Sequence, residues 1–352
     1  MTYSITKYAK LNRIYAFSVL ATFVVAVNWC VLRGEDVDSL SFHTMRTAQD
    51  DPDLYMAVAQ RVRLGSGYYE SAATELTVRG YRVHSVFNWR MPLYAWIFGK
   101  LPSPGWGRLL LAFFGMIATI LAGLAASREF GRSIGFSVVG ALIVSYSGAF
   151  STGKEYNMEI WSGVFILIAC MCYFYDCWEL GVTAGVVALA MRELALPFCV
   201  TACLLAFWHG RSWEVFCWAI IFCVGMFLFW MHWMFVNSMT TGATTIDGFE
   251  WMMFGGTDFV LATCRVNVVL AVLPTWCASV YLPLSLLGLF GWRSRSAITL
   301  QFTALAYVFF FAIAGKAVNY YWGWVCMPLL VLGAARAPAS LRDLVAVVTK
   351  IQ

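Results

Sequence analysis

Long apolar stretches recur along the chain, and short polar clusters separate them. About 20 apolar residues in a helix cross the roughly 30 Å hydrocarbon core of a bilayer. The first stretch covers residues 14–32, and the others cover 107–126, 134–150, 158–176, 180–191, 194–208, 214–236, 264–290, 297–314 and 319–335. The pattern predicts an all-α polytopic membrane protein: one domain, residues 1–352, with about ten transmembrane helices and no large soluble domain.

The stretch from 180 to 208 decides the predicted topology. It forms either two short spans separated by Arg192-Glu193 or a single span, and a single span would invert every later segment. Lysine and arginine are more frequent on the cytoplasmic side of membrane proteins. Outside the long first loop, ten spans place more basic residues on the side of the N-terminus than on the other side: Lys7, Lys10, Arg13, Arg128, Arg132, Arg211, Arg293, Arg295, Arg336, Arg342 and Lys350. We therefore predict ten spans with both termini in the cytoplasm and the long loop 33–105 on the outer face.

The composition agrees with a membrane protein and narrows the function classes. Hydrophobic residues make up 61% of the chain and charged residues 12%, which does not describe a soluble domain. The net charge of +5 follows from the topology; no basic run with interleaved aromatic residues occurs, so no nucleic-acid partner is predicted. Most of the 11 cysteines lie in predicted helices, where a thiol behaves as a small hydrophobic group. Gly-rich phosphate loops, paired CxxC motifs and HExxH motifs are missing from the sequence.

The long outer loop begins with a predicted amphipathic helix. Asp51 followed by Pro52 fits a helix start, and Leu54, Val58 and Val62 recur at four-residue steps. This spacing predicts a helix of about 13 residues, lying on the membrane surface with its apolar stripe towards the lipid.

Three acids lie within four residues at this helix start. Asp50, Asp51 and Asp53 repel one another unless a cation, a metal ion or a proton lies between them. Asp51 has a structural alternative, since a carboxylate at a helix start can cap free backbone amides. The pair Asp51 and Asp53 also forms a D-x-D pattern that could bind Mg²⁺ or Mn²⁺, although a bound ion would compete with a role of Asp51 as a base.

Three segments of the outer loop carry a family resemblance. Asp51-x-x-x-Tyr55-x-x-x-Ala59, Gly65-x-Gly67-Tyr68-Tyr69 and Arg90-Met91-Pro92-Leu93-Tyr94-Ala95-Trp96 resemble the first outer loop of GT-C class glycosyltransferases. That class includes aminoarabinose transferases, protein mannosyltransferases and catalytic subunits of oligosaccharyltransferase. The resemblance extends over roughly residues 10–335, with weaker matches at Lys154-Glu155, Arg192-Glu193 and Lys316. It departs from several members in having no sizeable soluble domain after the membrane part.

The resemblance implies an inverting transfer of a sugar from a polyprenyl-phosphate donor to an acceptor, which could be a lipid, a glycan or a protein. It implies Asp51 as general base, Asp53 as the second candidate and Glu155 as an acid that positions a substrate. The cations expected at the donor phosphate are Arg192, Arg265 and Lys316. The remaining substrate-binding candidates are Arg90, Tyr55, Tyr94, Glu193 and Tyr320. The resemblance places the reaction on the outer face of the cytoplasmic membrane, among membrane lipids.

Two other function classes stay open at this point. A transporter or flippase of lipid-linked sugars would use intramembrane charges along a path, and a catalytically inactive scaffold would hold partner subunits. The chain shows no internal repeat and its polar residues collect on one side, which favours the enzyme. Each candidate cation could instead pair with a neighbour or anchor a helix at the membrane interface.

Overall fold

The computed structural model describes residues 6–34, 50–240 and 253–349, and within them all regular secondary structure is helical. The α-helices are α1 (Arg13–Gly34), α2 (Asp50–Arg63), α3 (Tyr68–Val78), α4 (Leu93–Lys100), α5 (Pro104–Phe130), α6 (Arg132–Tyr146), α7 (Met158–Phe174), α8 (Trp178–Met191), α9 (Leu196–Trp208), α10 (Ser212–Met239), α11 (Gly256–Cys264), α12 (Val268–Val272), α13 (Trp276–Phe290), α14 (Ile298–Ile313) and α15 (Met327–Thr349). The 3₁₀ segments are Lys7–Lys10, Val86–Asn88, Ser147–Phe150, Lys154–Tyr156, Glu193–Ala195, Arg295–Ala297 and Ala317–Val325. The predicted outer loop 33–105 and a second, shorter loop predicted around residues 237–263 both include residues outside the described ranges.

Five of the described helices are long and apolar enough to cross a membrane. They are Arg13–Gly34, Pro104–Phe130, Arg132–Phe150, Ser212–Met239 and Arg295–Ile313. A sixth span results if Val318–Val325 and α15, which meet at a 67° bend, count as one. The predicted number of ten is therefore not confirmed among the described residues.

The difference in span number has a geometric cause. Four other apolar helices, α7, α8, the stretch Glu193–Trp208 and α13, have 17 residues or fewer. At 1.5 Å per residue, a helix of 17 residues extends about 26 Å, less than the roughly 30 Å of a hydrocarbon core. The predicted span 264–290 is divided into parts of three helices, α11, α12 and α13, with non-helical residues between them.

Helix α2 confirms the predicted amphipathic helix but not its surroundings. It begins at Asp50, one residue before the predicted start, and Gly65 follows it with a φ of 97°, a left-handed conformation that favours glycine. Its apolar stripe packs against α3 and α4, and Leu54 and Val58 are only 3% and 2% exposed. The stripe therefore faces the protein interior and not the lipid.

Helix α10 is attached to the rest of the protein by polar side chains near its two ends. Near its start, Glu214 accepts a hydrogen bond of 2.6 Å from the hydroxyl of Tyr173. Near its end, His232 lies 3.0 Å from the hydroxyl of Tyr69 through Nδ1 and 2.9 Å from the carbonyl of Trp89 through Nε2. Because a carbonyl can only accept, Nε2 carries the proton and Nδ1 accepts from Tyr69. Much of the helix surface between these two attachments is apolar and exposed.

Helices α13 and α15 approach each other through glycines. A Cβ atom at Gly288 would overlap the carbonyl oxygen of Gly333, and a Cβ atom at Gly333 would overlap the carbonyl oxygen of Ser285. Small residues at such contacts let two helix backbones pack directly in a membrane protein. This contact holds α15, the last described helix, against α13.

We expect Gly288→Ala to lower the free energy of unfolding by about 1–3 kcal/mol, because the added methyl group meets backbone that cannot move without separating the helices. Gly225→Ala on α10 is the matched control, since nothing lies within 4 Å of its Cβ position. There, alanine should leave stability unchanged or raise it by up to about 1 kcal/mol. Thermal unfolding of both purified variants in detergent measures the difference. Equal melting temperatures would contradict the packing argument.

Candidate functional site

A cavity of about 280 Å³ opens at one end of the helical bundle, which we call the Asp51 end. Four segments that are distant in sequence form it: the start of α2, the region from Gly148 to the first turn of α7, the region from Arg265 to α12, and the 3₁₀ segment Ala317–Val325. It is lined by Asp51, Pro52, Tyr55, Gly148, Lys154, Asn157, Glu159, Arg265, Val266, Val268, Ala271, Tyr320, Tyr321 and Trp324.

Asp51 is half-buried in the wall of this cavity. Its Oδ1 atom accepts a hydrogen bond of 2.9 Å from the hydroxyl of Tyr81, and its Oδ2 atom accepts one of 2.9 Å from the hydroxyl of Tyr321. The two tyrosines come from the loop after α3 and from the 3₁₀ segment before α15. Within the described residues its carboxylate oxygens thus bind side chains rather than helix amides, and they lie at the cavity surface, where a substrate hydroxyl can approach.

Two cations share the cavity with Asp51. The side chain of Lys154 makes no hydrogen bond or ion pair with any residue of the described ranges, so its ammonium group is available to a ligand. The guanidinium of Arg265 lies 3.5 Å from the carbonyl oxygen of Ala271. A carboxylate and two cations within one cavity are suited to a substrate that carries both a hydroxyl group and a phosphate.

Glu159 brings a second carboxylate to the cavity, and the local sequence explains its position. The side chain of Asn157 accepts a 3.1 Å hydrogen bond from the backbone N–H of Glu159, which caps the start of α7. The capped turn holds Glu159 at the edge of the cavity, where only 2% of it is exposed.

A chain of ion pairs, buried except at the half-exposed side chain of Glu193, runs behind the cavity wall. Arg192 donates from Nε to Glu159 over 2.7 Å and from Nη1 to Glu193. Glu193 also lies 3.6 Å from Arg90, whose Nε donates to the Tyr55 hydroxyl over 2.7 Å. Buried charges are stable only with such partners, so this chain fixes the break between α8 and α9 against α7 and α2.

The hydroxyl of Tyr55 links this chain of ion pairs to the cavity. Burial raises the pKa of Tyr55 well above its ordinary value, which the nearby positive charge of Arg90 only partly opposes. Tyr55 therefore stays neutral: it accepts the hydrogen bond from Arg90 and keeps its own proton for donation.

The structure brings some of the sequence-predicted residues together and separates others. Asp51, Tyr55, Arg265 and Tyr320 line the cavity. Three of the others, Arg90, Arg192 and Glu193, lie in the ion-pair chain. Tyr94 packs among the buried rings of Tyr55 and Tyr68, and Glu155 is buried 3.7 Å from Arg108. Asp53 and Lys316 are exposed and lie outside the cavity lining.

The residues present do not fit the D-x-D metal site. Asp51 lines the cavity, whereas Asp53 is exposed on another side of the same helix, so their carboxylates do not converge. Nor does any group of three or more His, Cys, Asp and Glu side chains suitable for a metal ion occur in the described part of the chain. We therefore derive no reaction step through Mg²⁺ or Mn²⁺.

Sequence reasoning missed Glu159 and left Lys154 and Tyr321 without an assigned role. The signal for Glu159 was its place two residues after an Asn cap, in the first turn of an apolar helix. Nothing in the sequence marks Tyr321, whose partner Asp51 is 270 residues away.

The comparisons with known proteins leave the family open. No family model matches this chain, and the comparisons with curated proteins and with solved structures found no match. The GT-C resemblance therefore rests on the residues quoted from the sequence, and function must be argued from the chemistry of the cavity.

Proposed function

We propose that this chain is a membrane glycosyltransferase that moves a sugar from a polyprenyl-phosphate donor to an acceptor hydroxyl. One observation carries the proposal: the Asp51 carboxylate shares a cavity with the cations Lys154 and Arg265 and with the rings of Tyr320 and Tyr321. The carboxylate suits a nucleophilic hydroxyl, the cations suit a phosphate, and the rings suit the apolar face of a sugar.

In the proposed step, the acceptor oxygen attacks the anomeric carbon of the donor sugar, and its proton moves to the carboxylate of Asp51. The bond between that carbon and the phosphate oxygen breaks, and its electron pair leaves with the phosphate. The leaving polyprenyl phosphate gains one negative charge, which Lys154 and Arg265 stabilise. Attack opposite to the leaving group inverts the configuration at the anomeric carbon.

The size of the cavity limits which part of the donor it can hold. Its volume of about 280 Å³ is near the lower end of small-molecule sites, which is about 300 Å³. It suits a sugar with its phosphate, while the prenyl chain remains outside among apolar surfaces or lipid. We therefore assign sugar and phosphate recognition to the cavity and membrane anchoring of the donor to its hydrocarbon chain.

The donor class is tested by binding of polyprenyl phosphate, the product that does not depend on the identity of the sugar. We expect Lys154→Gln and Arg265→Gln each to weaken its binding about tenfold, as expected for the loss of one charge-assisted hydrogen bond. Lys316→Gln is the matched control, because this exposed cation lies outside the cavity lining. Native mass spectrometry of the purified protein with added polyprenyl phosphate measures all three variants.

Two results would count against the donor class. One is wild-type affinity for polyprenyl phosphate in both cavity variants. The other is an equal loss of affinity in Lys316→Gln, which would attribute the weaker binding to the overall surface charge. Melting temperatures of the same samples separate lost binding from lost folding.

A transporter of lipid-linked sugars is the second candidate, and one observation favours it. Apolar helices are interrupted beside the cavity, between α8 and α9 and between α11 and α13, and interrupted helices occur at transporter binding sites. Reconstitution in vesicles distinguishes the two. The transferase forms a covalent sugar–acceptor product and loses it in Asp51→Asn, whereas a transporter moves the intact donor across the bilayer without forming a product.

A further inference from the structure

A second cavity, of about 140 Å³, lies at the other end of the bundle. It is lined by Tyr173, Asp176, Ala202, Leu205, Ala206, His209, Arg211, Glu214, Arg295, Ser296, Ile298 and Thr299. Glu159 at the start of α7 lies at the Asp51 end, and Tyr173 near the end of the same helix is about 21 Å further along it. This cavity is therefore separate from the candidate active site.

The two arginines of this second cavity differ in how they are paired with carboxylates. Glu214 is buried, accepts from Tyr173 and lies 3.4 Å from Arg211, whose guanidinium is also 3.9 Å from Asp176. The positive charge of Arg211 is thus balanced by two carboxylates. The exposed side chain of Arg295 has no hydrogen bond or ion pair with any residue of the described ranges. One guanidinium remains available for an anion.

The backbone around Arg295 also favours the binding of an anion. Ile298 and Thr299, the first two residues of α14, line the cavity, and the first turn of α14 has no acidic residue. The backbone N–H of Ile298 already donates to the carbonyl oxygen of Arg295, but the start of the helix still carries a partial positive charge, which favours anions. His209 donates from Nδ1 to the carbonyl oxygen of Leu205, so its ring also lies at the cavity with a fixed orientation. A guanidinium, a helix start and hydroxyl side chains together suit a phosphate.

The neighbouring aromatic residues indicate where this cavity lies relative to the bilayer. Trp208 at the end of α9 and Trp213 at the start of α10 are 83% and 75% exposed. Exposed tryptophans at the ends of apolar helices are typical of the headgroup region of a membrane. The turn between them contributes His209 and Arg211 to the cavity, so the cavity opens at the depth of lipid phosphates.

We propose that this second cavity binds the phosphodiester of a membrane phospholipid, with Arg295 and the start of α14 as its main contacts. The cavity is large enough for a headgroup but not for acyl chains, which extend along the apolar surface of α10. The site is independent of the sugar-transfer proposal and lies at the opposite end of the bundle.

The test uses the purified full chain in detergent with three added probes: short-chain phosphatidylglycerol, a diacylglycerol with the same acyl chains, and inorganic phosphate. Native mass spectrometry measures binding of the lipids, and inorganic phosphate is added as a competitor. We expect saturable binding of phosphatidylglycerol, none of diacylglycerol, and about tenfold weaker binding in Arg295→Gln. Arg293→Gln is the matched control, since Arg293 is an exposed arginine two residues away that does not line the cavity.

Unchanged phosphatidylglycerol affinity in Arg295→Gln overturns the proposal, as does an equal loss in Arg293→Gln. Equal binding of diacylglycerol shows that the acyl chains alone are recognised and also overturns it. Full competition by inorganic phosphate identifies a soluble phosphate as the ligand and excludes the lipid. Arg295→Lys keeps the positive charge. If this variant binds the lipid and melts like the wild type, the result supports the positive charge at position 295 as the group that the lipid phosphate contacts.

Discussion

Asp51→Asn is expected to lower the rate of the proposed sugar transfer by about 10²–10⁴-fold, the usual contribution of a general base. Asparagine keeps the size of the side chain and can still accept a hydrogen bond from Tyr321 or Tyr81, but it cannot take a proton from the acceptor. Binding of polyprenyl phosphate should change little. The release of polyprenyl phosphate from a lipid-linked sugar donor, followed by mass spectrometry in purified protein and native lipid extract, measures the rate.

Asp53→Asn is the matched control for this experiment. It removes the same charge from the same helix two residues away, and Asp53 is exposed outside the cavity lining. We expect it to retain nearly all of the activity. Wild-type turnover in Asp51→Asn would exclude Asp51 as the base, and an equal loss in Asp53→Asn would assign the effect to the net charge of the helix start.

Arg192→Met is expected to destabilise the protein by about 3–5 kcal/mol, because it leaves the buried carboxylate of Glu159 without its partner. Both side chains are only 2% exposed, so water reaches the carboxylate only from the cavity and replaces the missing guanidinium poorly. The resemblance assigned Arg192 to the donor phosphate; its position behind the cavity wall favours a role in holding α7 against the break between α8 and α9. Thermal unfolding, with the fraction of monodisperse protein as a second readout, measures the effect.

The double variant Arg192→Met with Glu159→Leu distinguishes a buried ion pair from simple loss of packing. Removing both charges eliminates the unpaired carboxylate, and Glu193 keeps its contact with Arg90. We expect the double variant to recover more than half of the stability that the single variant loses. A double variant no more stable than Arg192→Met, or a single variant as stable as the wild type, would contradict the ion-pair argument.

The sequence predicted local structure well where a short-range pattern determines it. The four-residue spacing of Leu54 and Val58 and the acid before Pro52 located α2 to within one residue of its start. What the apolar stripe faces depends on α3 and α4, which fold back onto it. A periodic pattern shows that one face is apolar, but it does not show whether lipid or protein covers that face.

Hydropathy was less informative about helix breaks. The stretch 264–290 is apolar nearly throughout, yet Asn267 starts a new helix by accepting from the backbone N–H of Val269, and α13 starts only at Trp276. Such breaks depend on caps and tertiary contacts that a hydropathy window averages out. The same averaging explains why the number of spans was predicted less well than the positions of the helices.

The candidate site was predictable only in part. Asp51 and Arg265 stood out because charges are rare in an apolar chain, and both line the cavity. The other lining residues Lys154, Glu159 and Tyr321 could not be identified as site residues from the sequence. Each reaches the cavity through packing between segments more than 50 residues apart. A single sequence contains no information on those distances.

The two attachments of α10 determine how the protein responds to bilayer thickness. Glu214 and His232 are 18 residues apart, a distance of about 27 Å along the helix, close to the thickness of a hydrocarbon core. A helix held at both ends cannot slide to follow a thicker or thinner membrane. Hydrophobic mismatch must then be met by tilting of the whole bundle or by deformation of the surrounding lipid.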